Sequence, residues 1–279
     1  MIFYQPTFKN HTLFLCAFLI FSLGSSGQKN NKAGLTLTTA DAQGMVAVAI
    51  PINDLPRQKF VLEIPEIFTL KNFKGGLYNY NKQMWHFTNA GAAMSFADDK
   101  YEYNISLKIV KTKNTIGLKW YIGFKNNTMD TLYDLAAFNC FTMNFAPLFK
   151  DTTMERTFVN DATGNKIVLK DVQRTQGEGR RNMQFYPAVG GIANLPQSQW
   201  VSQWAVIADQ YLSGKKISVV STDAQWLFEN IVDGTVAYFF NNWEGDHGCV
   251  HASPLLTRQL LPGASAKASG IFKFTKIKN

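Results

Sequence analysis

A chain of 279 residues, 46% hydrophobic and 17% charged, has the composition of a globular protein with material for a large core, which excludes a disordered or fibrous chain. The formal charge is +8, yet Lys and Arg are scattered and the densest spots, Arg180-Arg181 and Lys215-Lys216, are pairs rather than runs. That pattern describes a solvated basic surface, leaves room for an anionic glycan and argues against nucleic acid as a partner.

Lys9 and His11 precede an apolar run at 13–23, then Gly24-Ser25-Ser26-Gly27 and polar Gln28-Lys29-Asn30-Asn31. Basic, apolar, small and polar in that order reads as a secretory signal peptide over 1–27, leaving a mature part from 28 to 279 that is expected to be one domain in the periplasm or outside the cell. The run is shorter than the roughly 18 apolar residues a membrane span needs, so no span is expected. Cys16 falls within the leader, which leaves Cys140 and Cys249. In an oxidising compartment these either form a disulfide or remain two buried thiols, and sequence alone leaves both open.

Beyond residue 28, short apolar stretches alternate with Gly, Asn, Asp and Pro. Residues 45–52 and 60–64 read as strands. Tyr101, Tyr103, Ile105, Leu107 and Ile109 alternate with mostly polar neighbours, as do Ile116, Leu118, Trp120, Ile122 and Phe124. Period-2 patterning puts one set of side chains on each face of a sheet, and Lys111-Thr112-Lys113-Asn114 between the two runs suits a hairpin. Residues 135–145 are apolar throughout and read as strand or short helix. A turn at 161–165 precedes a strand at 166–169. Strands follow at 217–221, 226–231 and 236–240, with Asp233-Gly234 as a hairpin turn between the last two. A final strand covers 271–277. Only 203–212 suits a helix of any length. Many short strands with turn signals, together with 22 Phe, 10 Tyr and 6 Trp, imply an all-β protein built as a large antiparallel β-sandwich.

Several motifs carry a resemblance. They are Ser221-Thr222-Asp223-Ala224-Gln225-Trp226, Phe240-Asn241-Asn242, Cys249-Val250-His251-Ala252-Ser253-Pro254, Leu261-Pro262-Gly263 and Gly270-Ile271-Phe272-Lys273-Phe274, with Asn139-Cys140 and Ala146-Pro147-Leu148-Phe149 before them. In this order, over about 100–279, they resemble exported β-sandwich proteins of environmental bacteria, many from polysaccharide degraders. That family in turn is similar to the galactose-mutarotase type of supersandwich. The resemblance implies a large sandwich and a sugar-related role, the latter by fold analogy alone. A mutarotase-like enzyme needs a His acid and a Glu base facing one another across the sugar. The motifs map no such pair, and this departure tells against true epimerisation.

The densest polar cluster is Trp243-Glu244-Gly245-Asp246-His247-Gly248-Cys249-Val250-His251. On a strand, His247, Cys249 and His251 share a face. Residues i and i+4 of a straight strand lie roughly 13 Å apart. One metal cannot hold both His residues unless Gly245 and Gly248 fold the chain back, so no metal and no cofactor are expected. General acid/base work is the alternative, with His251, Glu244 and Asp223 as the catalytic set if the Asp223 turn and the Glu244 loop share one end of the sandwich. Trp85, Trp226 and Trp243 are candidate sugar-stacking platforms, and Arg156 a candidate for an acidic sugar. Each has a plainer reading, as a core indole or a surface ion pair. No P-loop or Rossmann glycine loop, paired CxxC, G-x-S-x-G or H-E-x-x-H occurs. Three functions follow: an exported carbohydrate-binding or carbohydrate-processing accessory protein, a carbohydrate-active enzyme (lyase, hydrolase or epimerase), or a non-catalytic envelope interaction protein.

Overall fold

Two large sheets account for nearly all of the regular secondary structure in a computed structural model of the chain, which describes residues 35–40, 46–49, 58–71, 85–173, 183–192, 206–243 and 248–277. The eight-stranded sheet runs, in spatial order, β1 (Thr36–Thr39), β2 (Val46–Ala49), β3 (Lys59–Thr69), β8 (Leu132–Thr142), β16 (Cys249–Leu260), β15 (Val236–Asn242), β11 (Met183–Pro187) and β12 (Val206–Ile207). The nine-stranded sheet runs β10 (Lys166–Val168), β9 (Thr157–Asp161), β13 (Leu212–Val220), β14 (Trp226–Val232), β17 (Ser265–Lys276), β7 (Thr115–Asn126), β6 (Tyr101–Lys111), β5 (Gly91–Ala97) and β4 (His86–Thr88). Among the described residues every strand ladder is antiparallel except that of β11 with β12, and an isolated parallel bridge joins Ala188 to Leu212. The described residues fall within one unit, Ala33–Asn279, and among them no helix is long and apolar enough to cross a membrane. The leader reading at 1–27 lies outside the described residues.

The alternating run at 101–124 forms the expected hairpin, with Tyr101 opposite Asn126 and Lys111 opposite Ile116. Its inward set, Ile105, Leu107, Leu118, Trp120, Ile122 and Phe124, is buried in the core between the sheets. Phe141 of β8 meets Phe228 of β14 at 5.1 Å and Phe272 of β17 at 4.7 Å between ring centroids, so aromatic contacts tie one sheet to the other. Such pairs add about 0.5–1.5 kcal/mol each beyond the area they bury.

Three local expectations change. Asp233-Gly234 is not a hairpin turn: β14 pairs with β13 and β17, whereas β15 pairs with β11 and β16, so this segment carries the chain from one sheet to the other. The crossing is held by Asp233 N–H donating to the Ser269 carbonyl and Leu255 N–H to the Thr235 carbonyl. The stretch expected to be helical contributes β12 and the start of β13 instead. The ambiguous run at 135–145 is largely β8. Its side chains are buried on both faces of the sheet, which erases the alternation that marks a half-wet strand.

Candidate functional site

The eight-stranded sheet has a second apolar cluster on the face turned away from the core. Val250 and Ala252 of β16 and Ala137 and Phe141 of β8 point between the sheets. Their sequence neighbours Cys249, His251, Phe138 and Cys140 therefore point outward, by the two-residue period of a strand. Phe138, Phe185, Tyr238 and Phe240 form the body of this outer cluster.

Strand register lines the polar groups up in two rows across this face. In the first, Glu63 of β3 lies opposite Cys140 of β8, and Phe240 of β15 lies opposite His251 of β16. Cys249 opposite Thr142 and Leu255 opposite Ala136 share one offset, which puts His251 level with Cys140. The second row is Thr142, Cys249, Asn242 and Met183. A cavity of about 300 Å³ opens over these rows, and Glu66 also lines it.

Glu66 reaches the cavity through an irregularity. Residues i and i+3 of a regular strand point to opposite faces, so Glu63 and Glu66 would normally be separated. The register between β3 and β8 shifts between Glu63 and Ile67, where Pro65 sits, and both carboxyl side chains line the same hollow. Bulges of this kind re-aim side chains next to functional sites, and Pro, lacking an N–H, is tolerated there.

The sulfur atoms of Cys140 and Cys249 and a ring nitrogen of His251 all lie within 4.8 Å of one another, and all three residues are buried. His251 Nε2 is 2.9 Å from Cys249 Sγ, and Cys140 Sγ is 3.2 Å from the Thr142 hydroxyl. Phe138 stacks on the imidazole at 4.1 Å between centroids and 18° between planes, with Phe240 edge-on at 5.0 Å. Burial in this aromatic setting pushes the His251 pKa down to about 3, against an opposing pull from the Asn139 backbone, so the ring is neutral at ordinary pH. The hydrogen bond with Cys249, then burial and the nearby acidic groups, push the Cys140 thiol well above its ordinary value. Burial and the neighbouring Glu63 charge push Glu66 up to about 8, leaving it protonated at neutral pH.

Of the two states that the sequence leaves open for Cys140 and Cys249, the structure has both as free thiols. The register supplies the reason. The two are diagonal rather than directly opposite, and diagonal pairs have Cα atoms about 7–8 Å apart, beyond the roughly 7 Å a disulfide tolerates.

Of the other expected site residues, His251 is in the cavity and several are not. Asp223 sits in the turn between β13 and β14, accepting hydrogen bonds from Ser221 Oγ at 2.5 Å and the Gln225 N–H at 3.0 Å. This shapes a turn of the nine-stranded sheet and brings no carboxylate to His251. Trp226 and Trp243 are buried, so neither offers an open stacking face, and Trp85, partly buried, packs against the core. Arg156 donates to the carbonyls of Leu148 (3.2 Å), Val220 (2.5 Å) and Lys150 and lies 3.7 Å from Asp151. Its guanidinium thereby ties a loop to the sheet instead of facing a ligand. Glu244 lies outside the described residues, as do Asp246 and His247.

Glu63 and Glu66 were not anticipated. The available signal was a proline between two glutamates in an otherwise apolar strand, Leu62-Glu63-Ile64-Pro65-Glu66-Ile67, which marks a bulge. A larger depression of about 520 Å³ lies on the nine-stranded sheet, beside Tyr121 and Glu102. There Glu102 already pairs with Lys125 at 3.3 Å and accepts from Asn127, so its charge is engaged.

No protein-family model and no curated sequence matches the chain. Solved structures with a similar strand-rich architecture include a GalM/aldose epimerase homologue from C. elegans (10% identity, 88% of this chain and 100% of that one, TM-score 0.39). A galactose mutarotase-like protein from Clostridium acetobutylicum is similar at 10% identity over 89% of this chain and 100% of its own, with a TM-score of 0.41. The galactose 1-epimerase of Lactobacillus acidophilus is similar at 10% identity over 90% and 97%, with a TM-score of 0.33.

Proposed function

We propose that the protein binds a small saccharide in the cavity on the outer face of the eight-stranded sheet, as an exported carbohydrate-binding or carbohydrate-processing accessory protein. One observation carries this reading: a hollow of about 300 Å³ sets carboxyl groups of Glu63 and Glu66 and the Asn242 side chain beside the aromatic wall of Phe138 and Phe240. A small saccharide fits that mixture, with hydroxyls against carboxyl and amide groups over an apolar floor whose rings are themselves buried. The volume is at the small end for ligand pockets, which favours one or two sugar units over a long chain. Export is proposed from the order of residues 9–31.

The state of Glu66 favours a second reading, turnover. A carboxyl still protonated at neutral pH beside a second, charged carboxyl is the arrangement that proton transfer to a glycosidic or hemiacetal oxygen uses. In that reading Glu66 is the acid, Glu63 its partner, and the neutral His251 holds the wall in place.

The test is a thermal-shift and calorimetric screen against neutral and acidic mono- and oligosaccharides, with Glu66→Gln in parallel. A ligand specific to the folded state raises the melting temperature by mass action. A saturable rise that Glu66→Gln weakens by about tenfold or more supports the reading. A folded protein with no shift for any sugar rejects it. Product formation that stops in Glu66→Gln selects the enzyme over the binding protein.

A further inference from the structure

We propose that Cys140, Cys249 and His251 form a binding site for one zinc-class transition-metal ion whose fourth position opens into the cavity. The inference rests on the donor set and its geometry, and it stands whether or not the cavity takes a sugar.

Zinc binds sulfur at about 2.3 Å and imidazole nitrogen at about 2.0–2.1 Å, so the ligand atoms of a tetrahedral shell sit roughly 3.5–3.8 Å apart. The three donor atoms here all lie within 4.8 Å of one another, and one of the separations, His251 Nε2 to Cys249 Sγ, is 2.9 Å. The set brackets the required spacing, and small side-chain rotations close the difference. The backbone needs no such movement, because the donors stand on β8 and β16, two adjacent strands inside the sheet, flanked by β3 and β15.

This arrangement also resolves the objection that a single strand raises. His247 and His251 on a straight strand are too far apart to share an ion. The neighbouring strand supplies the third donor instead: Cys140 is level with His251 and diagonal to Cys249, which makes a compact triangle. That diagonal, which disfavours a disulfide, leaves room for an ion between the sulfurs.

The ligands are oriented by their surroundings, as metal ligands generally are. The Thr142 hydroxyl is 3.2 Å from Cys140 Sγ. Phe138 stacks on the imidazole and Phe240 closes its edge, so the ring plane is fixed and Nε2 is the nitrogen turned to Cys249. Two thiolates and an imidazole are soft-to-borderline donors, which select zinc-class ions over calcium and magnesium. Three protein ligands with an open fourth position is the pattern of a reactive rather than a purely structural zinc centre. Glu63 and Glu66 line the space that this position faces, so it takes a carboxylate or a water molecule.

The experiment uses the reduced full-length protein, stripped with chelator and titrated with Co²⁺ in the absence of any saccharide. One equivalent should produce thiolate-to-cobalt charge transfer in the near ultraviolet together with the visible bands of four-coordinate cobalt. Zinc should displace it and raise the melting temperature. Cys140→Ser and His251→Gln should each weaken cobalt binding by more than the roughly 10–100-fold that loss of a supporting neighbour costs. Asp223→Asn should leave it unchanged. Should the variants not fold, the unaltered protein decides: zinc should shield both cysteines from alkylation, read by peptide mapping. Folded protein without the charge-transfer band overturns the site. So does alkylation at the same rate with and without zinc, or a metal-free Cys140–Cys249 disulfide in protein isolated from its native compartment. A failed sugar screen bears on none of these readings.

Discussion

The outer faces of the two sheets treat a glutamate in opposite ways. On the nine-stranded sheet Glu229 is nearly inaccessible and is met by Lys216 Nζ at 2.6 Å and Lys273 Nζ at 2.5 Å. Burial pushes its carboxyl up, but the two ammonium groups outweigh burial and hold it below the ordinary value. On the eight-stranded sheet, burial and the charge of Glu63 act in the same direction on Glu66 and push it to about 8. Residue type is shared, and the sign of the neighbouring charge differs. A glutamate locked between lysines is committed to structure, whereas one held protonated beside another carboxyl keeps a proton available for chemistry.

The largest effect should come from the wall of the cavity. Phe138→Ala should cost about 3–5 kcal/mol in a urea titration, as buried Phe truncations do, and should abolish the response to sugar. Full sugar binding by a folded Phe138→Ala protein would move the ligand away from this face. Glu66→Gln comes next. The folded carboxyl binds its proton more tightly than the unfolded one, so its contribution is fully present below pH 4.5 and is lost as pH rises towards about 8. Across that window the unaltered, metal-free protein should lose stability relative to Glu66→Gln, at up to about 1.4 kcal/mol per pH unit. Parallel urea midpoints for the two proteins at pH 5, 6.5 and 8 would erase the contrast.

Glu229→Gln should show the opposite sign. Its depressed carboxyl contributes stability above the unfolded value, and that contribution is lost as pH falls through the folded one. Both lysines keep access to water, so the loss at pH 7 should be roughly 1–2 kcal/mol, vanishing in acid, with sugar and cobalt binding intact. Impaired sugar binding in this variant would break the division of labour between the faces. The smallest effect belongs to Asp223→Ala, roughly 1 kcal/mol from two turn hydrogen bonds, with ligand binding unchanged. A binding defect there would restore Asp223 to the site.

Legibility followed exposure. The hairpin of β6 and β7 was readable because one of its faces meets water, which prints an alternating pattern. In β8 the same strand geometry was ambiguous, because Ala136, Phe138 and Cys140 are buried on the outer face just as Ala137 and Phe141 are buried in the core. At Asp233-Gly234 a local turn signal was correct about a break between two strands and silent about which sheet received the next one. The indoles were misread for a related reason: a Trp suits a core and a sugar platform equally, and only the burial of Trp226 and Trp243 separates them.

The all-β class, the sandwich and His251 as a residue of interest follow from local sequence. Period, turn chemistry and aromatic content are local properties, written within a few residues of one another. Only the tertiary structure decided the site. Cys140 and Cys249 are more than a hundred residues apart in the chain, and the β8–β16 register alone makes them neighbours. Glu63 and Glu66 share a cavity only because the β3 ladder slips at Pro65, whereas Glu229 is held ionised by lysines that β13 and β17 bring beside it. Distances and charge environments of this kind are fixed by strand pairing across the whole chain, and no window of sequence contains them.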